Sequence, residues 1–158
     1  MWFARKMLYR SIPDFRAVLP MPGRVLGIDY GSKQIGLALS DLGRTVATPW
    51  TMLHRGRWQE TAALLLQCLN SENIVGIVLG YPLSLDGTKS AMTQATEQFA
   101  RNMQKISTLP ILLAEERFSS VTAENALLEA NMRRAERAEK RDMVAAAVML
   151  QQVLDRGL

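Results

Sequence analysis

The sequence predicts an α/β fold: a mixed sheet of three antiparallel strands followed by two parallel strands, flanked by helices. Three observations predict it. The apolar runs within residues 25–28, 35–39 and 45–52 follow one another across short turns, which is hairpin spacing. After Met52 the pattern changes to helix, strand, helix, strand, and parallel neighbours need such crossover helices. The chain has 158 residues, 48% apolar and 22% charged, which is the balance of one ordinary domain with one sizeable core.

Taken in order, residues 1–23 precede any clear globular pattern. They hold Arg5, Lys6, Arg10 and Arg16 against Asp14 alone, and they read as an N-terminal extension, either flexible or upstream of a true start at Met21. Organelle targeting is the alternative. The single domain is expected from Arg24 to Leu158. Its first strand, Val25 to Ile28, ends at a lone carboxylate, Asp29; Tyr30 and Gly31 turn the chain, and Ile35 to Leu39 returns it. A third run, Thr45 to Met52, contains Pro49 and therefore belongs at an edge. Ala62, Leu65, Leu66 and Leu69 share one face of a helix starting near Trp58. Ile74 to Leu79 is a strand of the kind buried on both faces. A helix from Ser90 to Lys105, a short strand from Ile111 to Leu113 and a helix from Ser119 or Ser120 to about Ala130 follow. Asn131 to Arg141 reads as a basic loop or helix extension, and Asp142 as the residue that opens the last helix.

Charge and composition exclude several classes. The net charge is +4, but most of it lies in residues 1–23, so phosphate binding has to come from local patches such as Arg133, Arg134, Arg137, Lys140 and Arg141. Cys68 and His54 are each the only residue of their type, which argues against an intrachain disulfide, a Cys/His zinc site and a conventional Ser/His/Asp triad. No apolar run approaches the roughly 20 residues of a bilayer span.

Carboxylates at strand ends are the chemistry that remains, because open sheets gather function beyond the carboxyl ends of their strands. Asp29 stands at one such end and the Glu115, Glu116 pair at another. Read alone, each has a plain alternative: Asp29 as a turn aspartate, Glu115 and Glu116 as a solvated strand end paired with Arg117, Asp142 as a helix cap favoured by the helix dipole. Lys33 is either a phosphate contact or a turn residue. Gly80, Asp86, Gly87 and Thr88 form either a backbone cradle for a phosphate or an Asp-Gly-Thr helix entry. Glu136 and Glu139 interleave the basic cluster, as they would on a solvated helix face.

Four blocks in register carry a resemblance: GIDYGSKQIGLALSD at 27–41, LGYPLSLDGTKSAMT at 79–93, EERFSS at 115–120 and KRDMVAAAVML at 140–150. Together they resemble the YqgF/RuvX family of RNase H-like nucleases, known as Holliday junction resolvases and as nucleases of the small-subunit ribosomal RNA precursor. The resemblance implies an RNase H-like sheet and a carboxylate cluster holding Mg²⁺ or Mn²⁺, with Asp29, Glu116 and Asp142 catalytic. The metal ligands it implies are Asp29, Asp142 and Glu116, with Glu115 as a possible substitute, since the family's usual Asp-Glu-Arg triplet reads Glu115-Glu116-Arg117 here. Nucleic-acid contacts are expected from Lys33, Gly80, Asp86, Gly87, Thr88, Arg117, Arg133, Arg134, Lys140 and Arg141. The partner implied is pre-16S rRNA or branched DNA in the cytoplasm, with no membrane and with a homodimer if two junction strands are cut. An oxygen-only donor set suits such hard ions. The competing readings are a catalytically inactive nucleic-acid-binding module of the same fold and an actin-like kinase or ATPase, which would need a second copy of the strand-Asp-x-Gly motif.

Overall fold

The computed structural model describes residues 7–83, 86–116 and 134–158, with side chains throughout except at 116 and 134–140. In chain order the elements are β1 (Leu8–Tyr9), α1 (Ile12–Ala17), β2 (Arg24–Tyr30), β3 (Gln34–Ser40), β4 (Ala47–His54), α2 (Trp58–Ser71), β5 (Ile74–Pro82), α3 (Ala91–Ile106), β6 (Ile111–Glu116) and α4 (Arg134–Asp155). They form a six-stranded mixed sheet in the order β1-β6-β5-β2-β3-β4. β2, β3 and β4 are antiparallel neighbours, while β5 runs parallel to β2 and β6 parallel to β5. This is the expected mixed arrangement, with crossover helices where parallel pairing requires them. Pro49 sits in the edge strand β4, where the register shifts against Leu37 and Ala38, so its missing N–H interrupts no central ladder.

The sheet separates two apolar layers. Leu26, Ile28, Ile35, Leu37, Ile77, Leu79, Ile111 and Leu113 face α2 and α3, where Leu65, Phe99 and Met103 complete the layer. Val25, Ala38, Val78 and Leu112 face the other way, against Ala146, Leu150 and Val153 of α4. The alternation follows from the two-residue period of a strand, and it explains why the central runs read as continuous apolar sequence.

Two elements differ from the sequence expectation. Residues 7–19 do not behave as a flexible extension: β1 pairs with β6 through Leu8↔Ile111 and Tyr9↔Leu112, and Phe15 and Leu19 are buried in the second layer. A side chain at Gly76 would meet Leu19 Cδ2 at 2.6 Å and Phe15 Cζ at 3.0 Å, so Gly76 leaves the room that this segment fills. The cue lay in Ser11-Ile12-Pro13-Asp14, a helix start in which Ser11 accepts a hydrogen bond from the Asp14 N–H at 3.4 Å. Arg-rich composition and a single helical turn concealed it. The second difference is the last helix, which is already formed at Arg134, well before Asp142. Residues 134–141 (RAERAEKR) lack Gly and Pro and are all strong helix formers, so charge alone gave no reason for the helix to stop there. The expected helix from Ser119 or Ser120 to about Ala130 lies outside the described residues.

Candidate active site

β2 brings Asp29 to the carboxyl end of the sheet, one residue before its last residue, Tyr30. Its register partner on β3 is Gly36. A Cβ placed on Gly36 would lie 2.0 Å from the Asp142 carbonyl oxygen, 2.2 Å from its carbonyl carbon and 2.8 Å from the Met143 nitrogen. Helix α4 therefore crosses β3 backbone against backbone, at the residue paired with Asp29. Only glycine permits that approach. From the same contact, Asp142 Oδ2 lies 3.8 Å from where a Cβ on Gly31 would stand, so this carboxylate turns toward the β2–β3 turn just after Asp29. Two acids 113 positions apart in the chain are thus held on one face at one end of the sheet.

Asp142 is half-buried, and loss of water pushes its carboxyl up from the ordinary aspartate value, with the neighbouring Arg141 cation opposing. A desolvated carboxylate beside a second one is a costly anionic site unless a cation or donor compensates it. The helix-dipole explanation for Asp142 falls away, because the residue lies eight positions into α4 and not at its start.

The ladder between β5 and β6 orders the two glutamates. Gly80 pairs with Ala114, Tyr81 with Glu115 and Pro82 with Glu116, while β2 and β5 pair through Ile28↔Leu79. One further step puts Asp29 level with Gly80 and Ala114. Ala114 packs against the α4-side layer and Leu113 belongs to the α2/α3 side, and Glu115 and Glu116 follow them at the end of β6. Beyond the two-residue β1 the end of β6 is an open edge, where Glu115 borders a cavity of about 210 Å³ with Arg10, Met149 and Arg156. Among the described residues no three His, Cys, Asp or Glu side chains converge. The two acids that the fold brings to this end of the sheet are Asp29, through its pairing with Gly36, and Asp142, through the contact of its backbone with Gly36.

The other expected residues fall into three groups. Lys33 is exposed in the Gly31–Lys33 turn at the Asp29 end. Gly80 lies in the sheet beside Asp29, whereas Asp86, Gly87 and Thr88 make a turn in which Asp86 Oδ1 accepts from the Thr88 N–H at 3.0 Å and from Thr88 Oγ1 at 2.7 Å. Gly87 has φ +83°, a conformation that favours glycine. Behind this turn Ser90 caps α3 in a reciprocal box with Thr93, whose hydroxyl donates to the Pro82 carbonyl. The basic cluster divides: Arg141 is exposed one residue before Asp142 and Arg134 opens α4, while Arg117 and Arg133 lie outside the described residues, as do the side chains of Arg134 and Lys140. Sequence reasoning missed Arg55, which follows β4 directly and reaches the Gly31–Lys33 turn. Its signal was the basic tetrapeptide His54-Arg55-Gly56-Arg57, which the pattern treated as a connection.

A mixed sheet with an acid at the end of its first central strand and a second acid supplied by the C-terminal helix defines the class: an RNase H-like α/β fold of the resolvase type. Among solved structures the chain is similar to the fowlpox virus resolvase in complex with substrate Holliday junction DNA (TM-score 0.55, 8% identity, 85% of this chain and 99% of that one). It is also similar to Thermus thermophilus RuvC in complex with a Holliday junction substrate (TM-score 0.52, 13% identity, 85% and 95% covered). The family pattern described as "RuvX: Holliday junction resolvase" matches residues 23–156, and the chain belongs to that family. Relatives include a Cereibacter sphaeroides protein named "Putative pre-16S rRNA nuclease", 45% identical over 150 residues that cover 95% of this chain and 94% of the relative. A Paracoccus denitrificans protein of the same name is 43% identical over 150 residues, with 95% of each chain covered.

Proposed function

We propose that this protein is a divalent-metal-dependent nuclease that hydrolyses phosphodiester bonds in structured nucleic acid, either at the 5′ end of pre-16S rRNA or in a four-way DNA junction. The observation that carries the reading is the seating of Asp142 on Gly36, opposite Asp29, with its carboxylate desolvated. Family membership and the names of the relatives support the reaction class.

The donor set fits a hard divalent cation: the carboxylates of Asp29 and Asp142, oxygen ligands only, which the fold brings to one end of the sheet. Asp29 and Asp142 would hold Mg²⁺ or Mn²⁺ there, and such an ion would supply charge neutralisation at the phosphate and activation of water near neutral pH. What the chain itself contributes is preorganisation. The backbone of Asp29 is held by its pairing with Gly36 on β3 and that of Asp142 by the α4–β3 contact, so the two acids are carried on rigid elements. Lys33 and Arg141 supply exposed positive charge at the rim, which favours approach of a polyanion. No helix among the described residues is long and apolar enough to cross a membrane.

The test uses labelled four-way junction, linear duplex and pre-16S rRNA fragments, with Mg²⁺ or Mn²⁺, with EDTA, and with Asp29→Ala. Cleavage of at least one structured substrate that needs the cation and Asp29 is expected. Absence of metal-dependent cleavage of every substrate sinks the proposal. A symmetric pair of cuts in the junction would go with a dimer, and trimming of the rRNA would not require one.

A further inference from the structure

We propose that Arg55 is a phosphate-binding residue at the sheet end that carries Asp29, on the α2/α3 side of the sheet, held in position by the turn that follows Asp29 and by the ring of Tyr30. The inference rests on the nuclease reading above and names a substrate contact for it. Its basis is the geometry around the β2–β3 turn. The Arg55 backbone N–H donates to the Lys33 carbonyl at 2.8 Å, which extends the β3–β4 pairing one step beyond Gln34↔His54 and carries the side chain to the turn. There Nη1 stands 3.3 Å from the Gly31 carbonyl oxygen and 3.4 Å from that of Ser32. The guanidinium carbon lies 4.4 Å from the centroid of Tyr30, and the Tyr30 ring is in turn stacked on Phe99 at 4.3 Å and 22°. Trp58 meets Phe99 edge-on at 6.0 Å. A column of rings thus rises from the core to one surface arginine, next to the strand end that carries Asp29.

This geometry serves a purpose that a plain solvated arginine does not. A free arginine has several rotatable bonds to order before it can grip a phosphate, whereas this one is already seated on an aromatic face and on two carbonyls. Its fork has five N–H donors, of which Nη1 alone reaches the turn; among the described residues no carboxylate pairs with it. The side chain is exposed, and Lys33 and Arg57 are exposed beside it. A planar, prepositioned guanidinium with no carboxylate partner among the described residues is the group that binds phosphate oxygens in two-pronged fashion.

Salt dependence separates a phosphate contact from a merely structural arginine. Binding of labelled four-way junction and of duplex DNA is measured over a series of salt concentrations, with Ca²⁺ in place of Mg²⁺, for wild type, Arg55→Gln and Arg55→Lys. Melting temperatures are recorded alongside. Loss of one phosphate contact lowers the slope of log K against log salt by about 0.9 on duplex DNA and weakens binding to all sequences alike. Arg55→Gln is expected to show that loss, and Arg55→Lys, which keeps the charge, to retain the wild-type slope with weaker binding. A slope that Gln leaves unchanged, or that Lys fails to preserve, overturns the assignment, even where the variants melt early. If wild type cleaves in Mg²⁺ while the slopes do not differ, only the role of Arg55 fails. If wild type neither binds nor cleaves any nucleic acid, the nuclease reading fails and the role of Arg55 with it.

Discussion

Replacing Gly36 by alanine tests the geometry of the site without touching a carboxylate. The added Cβ would lie 2.0 Å from the Asp142 carbonyl oxygen, and ordinary contact begins at 3.4 Å, so α4 and β3 must part by about 1.4 Å or distort by an equivalent amount. The obstructing atoms are backbone, which no rotamer change can move. Overpacking of this kind costs about 1–3 kcal/mol. In a domain of this size that is a fall in Tm of about 2–12 °C, at about 2–4 °C per kcal/mol. The parting also carries Asp142 away from Asp29, and a misplacement of about 1 Å can lower a rate by about 100-fold. Gly43→Ala is the control, because a Cβ there meets Asp41 Oδ2 at 3.5 Å and Thr45 Oγ1 at 3.7 Å, ordinary distances. Thermal unfolding and metal-dependent cleavage are measured on both variants. The expected result is a cleavage defect in Gly36→Ala beyond that caused by partial unfolding, with Gly43→Ala unaffected. Wild-type Tm and wild-type cleavage in Gly36→Ala would refute the α4–β3 contact as the element that positions Asp142.

Other expectations follow from the same contacts. Because burial raises the Asp142 carboxyl above its ordinary value of 3.8, this group favours the folded state below that value and loses that contribution as pH rises through its folded value. Unfolding in EDTA from about pH 3 to 7 should therefore show wild type losing ground to Asp142→Asn as pH increases, and a constant difference would contradict the desolvation argument. Phe15 is fully buried, so Phe15→Ala should cost about 3–5 kcal/mol by denaturant unfolding, a loss no flexible extension would produce. Truncation before Met21 should likewise destabilise the protein, since it removes β1, α1 and Leu19 together.

What the sequence made legible was the pattern carried by many residues at once. The five longer strands, the edge position of Pro49 and the helices over Trp58–Ser71 and Ala91–Ile106 all follow from apolar period and turn residues. Short elements with few anchors were lost: α1 holds one fully buried side chain, Phe15, in six residues. The start of α4 was lost for a different reason, since an alternating charge run looks the same as a loop and as a solvated helix face. At the site, the strand-end position of Asp29 was readable from Val25 to Gly31. The contact of Asp142 with Gly36 was not, because Gly36 reads as one more small residue in a strand until α4 is laid across it. The two glutamates stand on successive register positions, Glu115 level with Tyr81 and Glu116 level with Pro82, which the sequence alone did not give.

Calorimetric titration of Mn²⁺ into wild type, Asp29→Asn and Asp142→Asn measures the central claim most directly. The account predicts saturable binding by wild type, weakened at least tenfold in each variant while the fold is retained by circular dichroism. Undiminished binding in both variants would contradict it, because the cation would then be held by groups other than the two carboxylates that the α4–β3 contact brings together.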